Sequence, residues 1–153
     1  MPSYRFEDGK MVQIPDTIVS QSGTLDEDIT STVVIEPGVA LITTGRISGT
    51  VNVLGGASLE AENNVGGTVH IEPGGRATFH AGVGGTLVVD RSAVAVLTRS
   101  AVALGSLNIQ GELVNEGTRG VQVTGRGTVR DLEGSQVRQP DVVREDGTSI
   151  YYG

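Results

Sequence analysis

The chain has 153 residues and a mass of 15.8 kDa, the length of one domain. Aromatic residues make up only 3% of it, beside 23 glycines and no Trp or Cys, which excludes a core of large aromatic anchors, a disulfide framework and a thiolate metal site. The net charge of −7, from 11 basic and 18 acidic side chains, argues against nucleic acid or an anionic membrane as the main partner, because both select clustered positive charge.

Residues 1–28 read as an acidic leader ending in the run Asp26-Glu27-Asp28. Its opening, MPSYRFEDGK, places charges where a signal peptide carries apolar residues. No stretch approaches the roughly 18 apolar residues of a membrane-spanning helix, so the expected location is cytoplasmic. Strand-forming residues flank Asp8-Gly9, a hairpin signal, which makes Tyr4 and Phe6 candidates for an end cap.

From Ile29 the chain repeats. Ile29–Ile35 recurs as Ile47–Val53, Val65–Ile71 and Val83–Val89, each copy 18 residues after the last and each carrying a Thr before its central aliphatic residue. A finer step of six runs inside it, through Ile35, Leu41, Ile47, Val53 and Leu59 and on to Leu113. Two residues before each stands a small or apolar partner, and a pair at i and i+2 marks one face of a strand. Three such faces make one triangular coil. From Val33 to Leu104 only Gly45, Asn63, Gly75 and Arg99 interrupt the apolar inward columns. The column Gly49, Gly67, Gly85 marks a corner requiring positive φ or close backbone approach, and Pro37-Gly38 and Pro73-Gly74 mark a second. A helical reading fails, since glycine and β-branched residues at this density break helices. Thr32, Thr50, Thr68 and Thr86 fall in one column, read as a ladder that supports a corner.

The two histidines read as solvated side chains, His70 outward between Val69 and Ile71 and His80 near a corner. Neither the histidines nor the Gly66-Gly67 and Gly84-Gly85 pairs organise a nucleophile, a base and an anion site together, so no catalytic, cofactor or metal residues are assigned. Phe79, Val88, Val94, Val96, Leu97, Val102 and Leu104 read as an outward apolar cluster, the candidate interface. Past Leu104 the register loosens: Gly105-Ser106-Leu107 repeats the motif displaced by two residues, and Arg99 in a nominally inward column fits an insertion there. The solenoid is expected to span 29–138, followed by a tail over 139–153 with a second Asp-Gly hairpin signal at Asp146-Gly147, and Tyr151 and Tyr152 as further end-cap candidates.

The fold expected is therefore all-β, a single-domain, three-sided parallel β-solenoid of five to six coils with capping segments at both ends. The Ile/Val-x-Gly-Thr-Val steps over about 29–104, with Val39, Leu41, Gly45, Ile47, Gly49 and Val51 at apolar and glycine positions, resemble the bactofilins, bacterial cytoskeletal proteins. That resemblance implies end-to-end polymerisation into non-polar filaments without nucleotide, hence a non-enzymatic scaffold whose partner is itself. The acidic leader and the aromatic, hairpin-like ends depart from the family pattern. They point to an alternative, a capped binding module whose acidic surface suits a basic protein partner, such as an immunity-type inhibitor of a basic toxin. The six-residue step also resembles the hexapeptide-repeat acyltransferases, which implies an exposed histidine base and stands as a second alternative.

Overall fold

The structure, a computed structural model, describes residues 17–137 in full and, at the chain ends, the backbone of four short strands. It is a parallel β-solenoid with no helix among the described residues. The first face stacks Thr17–Val19, Val33–Ile35, Val51–Val53, Val69–Ile71, Leu87–Val89, Leu107–Ile109 and Val123–Thr124. The second stacks Gly23–Leu25, Ala40–Thr43, Ser58–Ala61, Arg76–Phe79, Val94–Leu97, Glu112–Asn115 and Thr128–Asp131. The third is thinner: single parallel bridges join Ile29, Ile47, Val65 and Val83, and the ladder then continues through Val102–Ala103, Thr118–Arg119 and Gln136–Val137. The turns number about seven, more than expected, because parallel pairing starts at Thr17, ahead of the first regular copy at Ile29.

The six-residue step is the core. Every member of the series from Ile35 to Leu113 is buried, and the columns stack like on like, with Val33, Val51, Val69 and Leu87 in one line. Each coil hides its apolar face only because the next coil covers it, so burial and the backbone ladder stabilise the same contacts. On the second face the strands after Gly23–Leu25 are four residues long, and the inward alternation runs to three positions, for example Ala57, Leu59 and Ala61. That third position forms a column of Thr43, Ala61, Phe79, Leu97 and Asn115, all buried. Phe79 fits the narrow interior because Ala61 beneath it is small.

The corners differ in what they ask of the backbone. Between the first and second faces, Gly38, Gly56, Gly74 and Ser92 share a left-handed conformation, with φ of 83°, 83°, 86° and 67°. Their amides climb the stack, Gly38 N–H donating to Gly56 O at 3.1 Å and Gly56 N–H to Gly74 O at 3.2 Å. Between the third and first faces the Gly49, Gly67, Gly85 column answers the other requirement, close approach. A Cβ on Gly67 would lie 2.2 Å from Gly49 O, and one on Gly49 would lie 2.2 Å from Ser31 O.

The loosened register resolves into two compensating changes. Leu87 pairs with Leu107, a step of 20, and Leu107 pairs with Val123, a step of 16. The added residues sit in the Thr98–Ala101 corner, where Arg99 is exposed rather than inward. The lost ones come from the next first-to-second corner, shortened to Gln110-Gly111. At the chain ends Ser3–Glu7 pairs antiparallel with Lys10–Ile14, and Val142–Val143 with Ser149–Ile150.

Candidate functional site

The seven candidate interface residues do not form one surface. Phe79 and Leu97 are core residues, 1% and 0% exposed, a correction that follows from the third inward position of each second-face strand. Val88 lies on the first face between His70 and Asn108. Val94 and Val96 point outward on the second face, half-buried, and Val96 adjoins Val114, which the sequence reading did not select. Val102 and Leu104 lie on the third face, along a shallow groove of about 440 Å3 floored by Gly66, Gly82 and Gly84. Alternation and corners thus scatter a linear cluster over three sides of the solenoid and its interior.

Each histidine is tied to a carboxylate of an adjacent coil. His70 Nε2 meets Asp90 Oδ2 at 2.7 Å across the first corner, and His80 Nε2 meets Glu60 Oε1 at 2.8 Å on the second face. The other ring nitrogen of His80 lies 3.2 Å from Thr98 Oγ1, and Ser100 Oγ donates to the His80 carbonyl at 2.6 Å. His80 therefore fastens the inserted corner to the coil beneath it. Among the described residues no three histidines or carboxylates gather with metal-ligand geometry.

The feature with the clearest capacity for an interaction is the pair of solenoid ends. At the last described coil the inward columns arrive at Val123, Val129 and Val137, one on each face. Val123 and Val137 are 37% and 39% exposed, whereas their counterparts two coils earlier, Leu87 and Ala103, are fully buried. At the opposite end Leu25 and Ile29 are only partly buried and Val19 is buried, while Ile18, in the outward column of the first face, is 62% exposed. Among the described residues, each terminal coil also carries strands paired along one edge only, with backbone donors and acceptors pointing along the solenoid axis. Of the end-cap candidates, Tyr4 and Phe6 lie in the strand Ser3–Glu7, opposite Gln13 and Met11, and Tyr151 and Tyr152 lie outside the described residues.

A polar network braces the last coil. Arg119 grips Asp131 with two bonds, Nε to Oδ1 and Nη2 to Oδ2, both 2.8 Å. Asn115, fully buried, donates to Asp131 Oδ1 at 3.0 Å and to Gln136 O at 3.2 Å, and accepts the Gly117 N–H at 3.0 Å. The hydrogen-bonded guanidinium holds the Asp131 carboxyl below the usual carboxylate range, and the same bond raises Arg119 further. The sequence reading missed this trio because its members, at 115, 119 and 131, come together only once the coil between them is known to be 16 residues long.

Compared with protein-family models, curated proteins and solved structures, the chain matches none.

Proposed function

We propose that this protein is a non-enzymatic scaffold that assembles with copies of itself by stacking solenoid ends. The observation that carries the reading is the exposure of Val123 and Val137: the column of Val123 is buried from Val33 to Leu107, and that of Val137 is buried as far as Ala103, with Arg119 between them. An added coil would bury them and pair the free strand edge in one step, the joint already repeated between successive coils within the chain. The histidine–carboxylate pairs support a structural part for both imidazoles, each joining neighbouring coils.

Replacing Val123 and Val137 together by Asp places two charges on that end with little effect inside the fold. The native chain is expected to sediment as species that grow with concentration, and the V123D/V137D variant at the 15.8 kDa of one chain. Equal, concentration-independent sedimentation of both proteins would remove the reading. A second reading, a capped module that binds a basic protein through its acidic surface, draws on the antiparallel strand pairs beyond each end of the solenoid, and single-chain behaviour of the native protein would favour it.

A further inference from the structure

We infer that the copies join head to tail, the first coil of one chain (Thr17–Ile29) seated on the last coil of the next (Val123–Val137). The inference rests on the self-assembly reading and adds its direction.

Two observations carry it. The first is register. Within the chain the line Ile18, Val34, Asn52, His70, Val88, Asn108, Thr124 runs straight up the first face, every joint parallel. A second chain continues that line only if its Ile18 lies over Thr124, which sets its Thr17 over the exposed Val123 and its Ile29 over the exposed Val137. Tail-to-tail contact would instead turn the strands antiparallel and abandon the column stacking on which the core depends.

The second observation is charge. The described first coil, residues 17–31, carries Asp26, Glu27 and Asp28 and no basic residue. The last, residues 119–137, carries Arg119, Arg126 and Arg130 against Asp131 and Glu133. Two first coils brought together would set one triple acid run against another, whereas head to tail the net charges are −3 and +1. In that arrangement Arg130, which pairs with Glu112 of its own chain at 3.1 Å, lies beneath the neighbour's Thr24 and one diagonal step from its Asp26, within reach of a long side chain, while Asp131, already held by Arg119, lies beneath its Leu25. The joint is heterologous and does not close, so it builds a polar filament rather than a dimer. The bactofilin resemblance implies non-polar filaments, and the charge distribution of this chain points the other way.

The absence of cysteine gives a direct test. Ile18→Cys and Thr124→Cys are prepared singly and as a double variant, both at exposed positions that leave the charged residues intact. Adjacent parallel strands put their Cα atoms about 4.8 Å apart, within disulfide range, while residues 18 and 124 of one chain are six coils apart, roughly 29 Å. Under mild oxidation, head-to-tail stacking predicts disulfide dimers when the single variants are mixed, none from either alone, and a ladder of oligomers from the double variant. Homodimers of a single variant would overturn the direction and leave self-assembly standing. Assemblies seen by light scattering with no cross-link would overturn this register. Single-chain scattering with no cross-link would overturn the direction and the self-assembly reading together.

Discussion

Ser92 occupies the one left-handed position in its corner column without a glycine, at φ 67°. An L side chain there costs on the order of 1 kcal/mol, and the coils below solved the same corner with Gly38, Gly56 and Gly74. Ser92→Gly is therefore expected to stabilise the fold by about 0.5–1 kcal/mol, net of the greater freedom of glycine in the unfolded chain, as a higher denaturant midpoint at unchanged slope. A lower midpoint would mean that the serine makes a contact worth more than its backbone strain. Asp131 gives a second expectation. Because Arg119 and Asn115 lower its folded-state carboxyl below its unfolded value, the stabilisation is complete above the usual carboxylate range, about pH 4, and is lost as pH falls through the lower folded value. Asp131→Asn should cost about 1 kcal/mol near neutral pH and flatten that acid limb, which urea titrations at several pH values would show. An unchanged acid limb would remove Asp131 from the account.

At the scale of strands and corners, two neighbouring glycines have different reasons to be there. A Cβ at Gly67 would strike the Gly49 carbonyl at 2.2 Å, whereas at Gly66 the nearest atom lies 3.7 Å away. Gly67→Ala should destabilise by about 2–3 kcal/mol, since the obstruction is the Gly49-Thr50 backbone of the adjacent coil rather than a side chain that could swing away, while Gly66→Ala should stay within about 0.5 kcal/mol. Equal effects would contradict the close-approach explanation of the column. These elements also show how far the sequence could be read. The 18-residue step and its apolar columns were legible because identical environments repeat, so the same residue types return at the same spacing. The choice between positive φ and close approach was not, since glycine serves both. Phe79 and Leu97 were misplaced because a four-residue strand adds one inward position that a strict pair at i and i+2 leaves out. The coils past Leu104 blurred because a two-residue gain at Thr98–Ala101 and a two-residue loss at Gln110-Gly111 cancel within about one turn, which no fixed period can follow. The exposed Val123 and Val137 lie beyond that break, and so did not stand out in the sequence.

For the molecule as a whole, the solenoid has uniform flanks and unequal ends. Its sides mix small, polar and charged residues, the apolar ones scattered over three faces, while its last described coil exposes Val123 and Val137 beside the Arg119–Asp131 pair, and the described terminal coils carry one-sided strand edges. Such an end is a template for more of the same structure unless something covers it. The charge difference between the ends makes association sensitive to ionic strength, since exposed charges are screened beyond about 8 Å at physiological salt. Multi-angle light scattering of the native chain across a wide range of concentrations, at low and physiological salt, tests the central claim most directly. End-to-end stacking predicts a mass that rises with concentration in steps of 15.8 kDa, with longer species at low salt. A mass fixed at a single chain under every condition would contradict it.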